Sequence, residues 1–332
     1  MAKSRALDKR RKSIRSIRKI TRTMELVATA QFKKAMEKAI AADSYTKRLV
    51  DLVHDLTESN DQFSHPLLVE RKQNKEQKDV TLLVLSANRG MCGGFNAGVM
   101  RFAVQRLKDF QRDYSGISLD VSGKRGISSF KFRGLDITNA YIHLQDKPTL
   151  DKVTELADRY LEDFITDKID RLDICYTKFE SLSRQYSVVE TLLPMVELTS
   201  EGDVNSLRDN PEYSDVSLKR AALMKQADEL TADRDNNKIN DLVQRNSTMF
   251  EFLPSPESVL EELIPKAFKA KLFKCFLDSA VSEQIARMVA MKAATENADK
   301  MISMLTTTYN RARQSQITSE ILEIISGAEA LE

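Results

Sequence analysis

Between Pro265 and Gly327, sixty-one consecutive residues contain neither proline nor glycine. A continuous helix is the simplest conformation for such a run. At 1.5 Å per residue it would extend roughly 90 Å, about three times the diameter of a small domain. It cannot bury itself in a core of its own making. Leu263, Ala267, Leu277, Val281, Met288, Met301, Leu305, Tyr309, Ala312 and Ile321 recur at steps that keep one stripe facing a partner. The first sixty-five residues also lack proline and glycine, and nine of the ten glycines fall between Gly90 and Gly202. The chain therefore predicts two long terminal helices, with everything that bends between them.

The N-terminal helix is expected from about Ser4 to about Leu56, on a period carried by Ile14, Ile17, Ile20, Met24, Val27, Ala28, Ala35, Ala39, Leu49, Leu52, Val53 and Leu56. Alanines at 28, 30, 35, 39, 41 and 42 would let a second backbone approach closely. On period alone this stripe fits a bundle helix as well as a coiled coil. The length of both terminal helices favours an antiparallel pair with the middle of the chain hung at one end.

Charge is high at 30% of residues and nearly balanced at a net +2, which suits long exposed helices better than one compact globule. Its distribution is uneven. Residues 3–22 hold ten Lys or Arg against a single acid, Asp8, whereas from Glu320 to Glu332 only acids are charged. The cluster Arg10, Arg11, Lys12, Arg15, Arg18, Lys19 and Arg22 lacks interleaved aromatics and any base-reading motif, so a phosphate-binding helix is disfavoured against a solvated or protein-facing surface. Cys92, Cys175 and Cys275 are far apart and odd in number, arguing against a disulfide framework or zinc site and for a reducing compartment. No apolar run reaches membrane-spanning length, and no signal core follows the basic start.

Between the helices, Pro66 breaks a polar connection that leads to a buried parallel strand at Val80–Ser86. A helix over Phe95–Arg112, a strand at Ile117–Val121, a short helix or loop to Arg133 and a weak strand at Ile137–Ile142 follow. A helix from Asp151 to Asp167 and strands at Leu172–Phe179 and Val188–Leu193 complete an open α/β sheet of Rossmann-like type. The turn Arg89-Gly-Met-Cys-Gly-Gly-Phe-Asn96 lies where nucleotide folds bind phosphate, but it matches neither glycine fingerprint and no lysine follows it, so a structural turn is favoured. Cys92 has no histidine nearby in sequence and reads as a packed thiol. No catalytic triad, paired-carboxylate or metal motif is present. Residues from Thr199 to about Asn246 carry ten acids and seven bases with few large apolar side chains, predicting a charged insertion with a helix from Asp215 to about Ala232 capped by Ser214. Pro254, Pro256 and Pro265 are expected to turn the chain through a short helix at Glu257–Ile264 before the long helix begins. The expected division is 1–60 coiled-coil helix, 61–200 α/β domain, 201–246 insertion and 247–332 coiled-coil helix.

Three ordered blocks carry a family resemblance. Residues 13–28 (SIRSIRKITRTMELVA), 88–96 (NRGMCGGFN), and the C-terminal segments 282–298 (SEQIARMVAMKAATENA), 308–314 (TYNRARQ), Ile317-Thr318 and 325–328 (ISGA) together resemble the gamma subunit of F-type ATP synthases. The resemblance implies α/β fold plus an antiparallel coiled coil standing inside a hexamer of alpha and beta subunits. It implies the α/β domain on a membrane c-ring beside an epsilon subunit, and rotation that couples ion flow to the beta catalytic sites. It further implies a non-catalytic subunit without cofactor or metal, held peripherally on the cytoplasmic face of a bacterial-type inner membrane through the ring, with no nucleic acid and no direct lipid insertion.

Residue by residue, Met24 matches a family methionine near the acidic lever loop of beta, which Lys19 and Arg22 would meet by charge attraction. Arg313, Gln314 and Thr318 match upper-shaft residues that touch the beta catch region. Several positions depart from the family. Arg11 stands where an apolar residue is usual, Asn88 replaces a common Asp, and Ala30-Gln31 replace Ser-Lys. Residues 201–246 occupy the place of the chloroplast redox insertion but contain no cysteine, so a disulfide switch is rejected and a structural or autoinhibitory element is expected. The competing classes are a nucleotide-dependent α/β enzyme with helical oligomerisation arms and a coiled-coil nucleic-acid binder. Neither accounts for the order of the three blocks.

Overall fold

The computed structural model describes residues 2–58, 65–68, 79–145, 148–195 and 256–329. The expected insertion at 201–246, with its helix from Asp215, lies outside the described residues. In chain order the elements are α1 (Ala2–Glu58), β1 (Asp79–Leu85), α2 (Phe95–Asp113), β2 (Gly116–Ser122), α3 (Lys124–Phe132), β3 (Asn139–Tyr141), α4 (Leu150–Ile165), β4 (Arg171–Phe179), β5 (Gln185–Leu193) and α5 (Pro256–Glu329). They form two compact units. One comprises residues 1–34, 91–93 and 284–332; the other comprises 35–90 and 94–283.

The second unit is built on a five-stranded sheet of order β3-β2-β1-β4-β5. β1 pairs in parallel with β2 and β4, β2 with β3, while β5 runs antiparallel to β4. The antiparallel edge follows from the short link between Phe179 and Gln185, far too short for a parallel crossover. Alternation along β1 sends Val80, Leu82 and Val84 to one face, against Val99, Met100, Ala103 and Leu107 of α2 and Phe130 of α3. Leu83 and Leu85 point to the other face, against Val153, Ala157, Tyr160 and Phe164 of α4 and Leu260 to Phe276 of α5. Two buried aspartates tie helices to strands. Asp173 of β4 takes Arg106 of α2 at 2.7 Å and Arg171 at 2.7 Å, and Asp120 of β2 accepts from Tyr160 of α4 at 2.7 Å and Asn139 at 2.8 Å.

The C-terminal helix departs from expectation at both ends. It begins at Pro256 and passes through Pro265 without a break, so the separate helix at Glu257–Ile264 is not formed. Proline leaves the carbonyl four residues earlier without a helical donor, but Glu261 is exposed and its neighbours Leu260 and Ile264 anchor both sides of the site in the core. At the far end Gly327 does not stop the helix, which runs to Glu329; a helical glycine costs only about 1 kcal/mol.

In the helical unit, α1 and α5 pair antiparallel. Thr21 meets Thr295 at 2.8 Å between hydroxyls, Arg18 pairs with Asp299, and the Arg11 guanidinium lies 4.6 Å over the Tyr309 ring; numbers fall along α1 as they rise along α5. Buried and half-buried positions of α5 follow alternating steps of four and three: Met291, Thr295, Ala298, Ile302, Leu305, Tyr309, Ala312 and Gln316. That is a coiled-coil seam. On α1 the matching positions are Leu7, Arg11, Ile14, Thr21, Glu25, Ala28 and Phe32. Arg11, unusual for an apolar seam position, is accommodated by stacking on Tyr309 and by Asp8 at 2.6 Å. The apolar stripe read from sequence is only partly the seam. Ile17, Ile20, Val27, Met301 and Ile321 are exposed, and their places are taken by threonine, alanine, glutamate and arginine.

Seam packing and surface pairing differ in expected weight. Ala28→Leu inserts bulk where the side chain is fully buried and should cost about 1–3 kcal/mol. Arg18→Ala removes a pair that is half exposed on both sides and should cost less than about 1 kcal/mol. Urea unfolding of the full chain measures both, and a larger effect at Arg18 would reverse the assignment.

In the sheet unit, Asp278 of α5 is buried beside Lys274 of its own helix, Lys178 of β4, Glu190 of β5 and Asp43 of α1. Lys178 is held by Glu190 at 2.8 Å, and Lys274 by Asp43. Burial outweighs the lysines and pushes the Asp278 carboxyl up to about 7. A raised carboxyl favours the folded state while protonated. Its contribution is full below pH about 4, where the unfolded chain is protonated too, and is lost as pH climbs to about 7, by up to about 4 kcal/mol. Asp278→Asn should flatten stability across that interval and raise it at pH 8, read from urea midpoints at pH 5 and 8; parallel pH slopes for both proteins would show that the group titrates normally.

Candidate functional site

The helical unit carries, outside its seam, a second set of rows at the same three-and-four spacing. On α1 the row is Ile17, Ile20, Met24 and Val27, exposed except for half-buried Met24. On α5 two rows lie side by side: Gln314, Ile317, Ile321 and Ile324, and next to it Thr318, Leu322 and Ile325. All seven are exposed, Ile324 by 72%. A soluble helix places such residues inward; here the α1 row lies outside the seam, and the α5 rows lie on the stretch past Gln316 where every described position to Ser326 is exposed. Contiguous exposed apolar surface of this kind marks an interaction surface.

The six residues singled out from sequence fall on these rows or beside them. Met24 is part of the α1 row. Lys19 and Arg22 are exposed on the same helix, and Arg22 is engaged by Glu25 at 2.8 Å. Gln314 and Thr318 belong to the two α5 rows, and Arg313 is exposed beside them. Thr318 donates its hydroxyl to the Gln314 carbonyl at 3.0 Å, a local bond that leaves the side chain on the surface. The structure does not gather the six into one cluster. The antiparallel register places Arg313 to Thr318 beyond the level where Arg11 meets Tyr309, so the two groups lie about 20 residues apart along the pair, roughly 30 Å. They are two stations on one rod. Sequence reasoning missed the outer rows because it assigned Ile17, Ile20, Val27 and Ile321 to the inner stripe. Two apolar rows at equal spacing on one helix are the signal that separates the cases.

In the sheet unit the features that suggest chemistry are consumed by packing. The Asn88 amide donates to the Ile142 carbonyl at 2.9 Å and accepts from the Lys124 N–H at 3.0 Å, bridging the glycine turn to two neighbouring segments. A carboxylate could not make the first of these bonds, which accounts for asparagine here. Asn96 accepts from the Ala87 N–H at 2.9 Å. Met91 and Gly93 adopt positive φ, 62° and 56°, as a tight turn requires. Cys92, Cys175 and Cys275 are buried, and burial pushes the last two thiols far above the usual range. Asp120 receives Tyr160, Asn139, Arg159 and Tyr141, and burial with the Asp120 charge holds the Tyr141 phenol up at about 12, a proton donor at neutral pH. Among the described residues no group of three His, Cys, Asp or Glu is arranged to hold a metal ion, and no helix is long and apolar enough to cross a membrane.

Comparison with known proteins agrees with this geometry. Residues 3–331 match a family described as ATP synthase. The chain is 49% identical over 332 residues to an ATP synthase gamma chain from Rhodopirellula baltica, with all of both chains covered, and 35% identical over 331 residues to one from Leptospira biflexa, again with all of both covered. Among solved structures, a chain of the Euglena gracilis mitochondrial ATP synthase, in a structure of OSCP, F1 and c-ring, shares the fold at a TM-score of 0.59 and 16% identity, covering 99% of this chain and 95% of that one. A rotor chain from the same organism matches at 0.54 and 14% identity, covering 95% of this chain and 99% of its own. Matched over the full length of both chains, the chain belongs to the ATP synthase gamma family.

Proposed function

We propose that this chain is the central rotary shaft of an F-type ATP synthase. It turns with an ion-driven membrane ring and imposes conformational change on catalytic sites that reside in the beta subunits, for ATP synthesis or hydrolysis. The observation that carries the proposal is the exposed apolar surface of the helical unit: Ile17, Ile20 and Val27 on α1, and Ile317, Ile321, Leu322, Ile324 and Ile325 on the end of α5 past its seam, are all exposed. Such a rod needs a surrounding sleeve, and a sleeve of alpha and beta subunits supplies one. Smooth apolar contact suits a surface that must slide, since it offers no directional bonds to break at each step. Charged residues at its two stations supply the discrete engagements: Lys19 and Arg22 near Met24 toward an acidic loop of beta, and Arg313 with Gln314 and Thr318 toward the upper catch. The sheet unit is assigned to the c-ring and the epsilon subunit at the membrane surface, the protein being held there peripherally.

The test is reassembly. Co-expressed with its operon partners, the chain should purify with two homologous larger subunits in three copies each and one small partner. Arg313→Glu with Gln314→Glu should leave that complex intact while lowering coupled proton or sodium pumping by about tenfold for each 1.4 kcal/mol of engagement lost. Unchanged pumping and ATP turnover would remove the upper station from the mechanism, and purification of the chain alone would overturn the shaft itself.

A further inference from the structure

One surface of the sheet unit has chemistry that the shaft does not use. α2 and α3 lie on the same face of the sheet and enclose a groove of about 520 Å³, a volume within the range of small-molecule sites. Its α3 wall is a single stripe at four-residue spacing, Arg125, Ser129 and Arg133; its α2 wall holds Asn96 and Arg101, over a floor of Met100 and Val104. No acid lines it. From Lys124 to Arg133 there are four basic residues and no acidic one.

Arg125 and Arg133 differ from three other arginines of the unit. Arg106, Arg159 and Arg171 are each spent on a buried aspartate. Among the described residues neither Arg125 nor Arg133 is paired with an acid, and both line the groove, the Arg125 guanidinium also packing against Gly90 of the glycine turn. Their spacing is also fixed. The Arg125 N–H donates to the Ala87 carbonyl at 3.0 Å, and the Gly126 N–H donates to Ser86 Oγ at 2.9 Å. A Cβ at Gly126 would fall 2.4 Å from that oxygen, so α3 sits as close to the end of β1 as a helix can. Asn96 binds the N–H of the same Ala87 from the α2 side. One residue thus anchors both walls, and the groove is preorganised rather than assembled by flexible side chains alone.

We propose that the α2–α3 groove binds a small phosphorylated anion, its phosphoryl oxygens taken by the guanidinium groups of Arg125 and Arg133 with the Ser129 hydroxyl between them and Arg101 opposite. Phosphate suits this set because guanidinium forks meet its oxygens two at a time, and Met100 with Val104 offers apolar contact to the carrier of the phosphoryl group.

Inorganic pyrophosphate is the probe. Titrated into the full chain at low salt and followed by calorimetry, it should bind saturably at one equivalent, and Arg125→Gln with Arg133→Gln should weaken it by about tenfold or more. Lys108→Gln with Lys152→Gln, which changes net charge equally at sites away from the groove, should leave it unaltered. A second measurement needs no variant: pyrophosphate should slow phenylglyoxal modification of Arg125 and Arg133, mapped by mass spectrometry, more than that of Arg89. Absence of saturation, equal loss in both double variants, or equal protection at all three arginines would overturn the site. Binding to phosphatidylglycerol vesicles without binding to pyrophosphate would do the same, by assigning the charge to a lipid surface.

Discussion

The helical unit depends on a seam that mixes large apolar side chains, Ile14, Met291, Ile302 and Leu305, with small and polar ones. Ala28 and Ala298 contribute little area, and at the same seam two threonine hydroxyls, Thr21 and Thr295, are buried against each other. A buried hydroxyl without a partner costs free energy, whereas a matched pair is close to neutral. Each hydroxyl also donates within its own helix, Thr21 to the Arg18 carbonyl at 3.1 Å and Thr295 to the Met291 carbonyl at 2.9 Å. Sliding one helix by a turn thus costs their mutual bond and moves Arg11 off Tyr309 but orphans neither hydroxyl. These contacts give the seam specificity beyond its area. Other large apolar residues lie outside the seam: Ile17, Ile20, Val27 and the α5 rows.

The sheet unit solves a different problem, that of holding helices on both faces of a small sheet without flexible contacts. Asp173 and Asp120 sit fully inside, Asp173 taking Arg106 of α2 and Arg171 of its own strand, Asp120 taking Tyr160 and Arg159 of α4 and Asn139 of β3. Buried carboxyl groups are tolerated there because several donors meet each one. Gly123 serves the same end at the end of β2: its φ of 101° and the 1.9 Å that would separate a Cβ from the Ser86 carbonyl oxygen leave glycine as the residue that fits. Groups that resemble an active site in composition are thus saturated by structure. Arg125 and Arg133, by contrast, meet no acid among the described residues.

Long elements without breakers were legible in the sequence, and so were the strands of near-continuous apolar composition; α1, α2, β1, β2 and β4 all lie within a few residues of their expected bounds. Less legible was anything that depends on what a residue faces. Period alone cannot separate an inner apolar row from an outer one when both repeat at three and four, which is why Ile17 and Ile321 were assigned inward. Pro265 and Gly327 misled for a related reason: a breaker's local cost of a few kcal/mol is small against the packing of a long helix on a core. The contact stations came from family motifs rather than pattern, because an exposed Lys19 or Arg313 on a helix surface carries no periodicity that singles it out. Asn88, by contrast, carries its explanation in its chemistry, an amide that must donate and accept at once.

These constraints bear on how such a rod acquires stiffness. Along the seam, alanine and threonine alternate with a few large apolar side chains, and the exposed apolar rows make the solvated state costly. Any partner that covers those rows binds the paired form and not the separated helices, so it stabilises pairing by mass action. Cohesion of the rod is then a property of the assembly. Torque transmitted along it is resisted by the sleeve outside and by the few register-setting contacts within, Thr21 with Thr295 and Arg11 with Tyr309, which twist would have to break first.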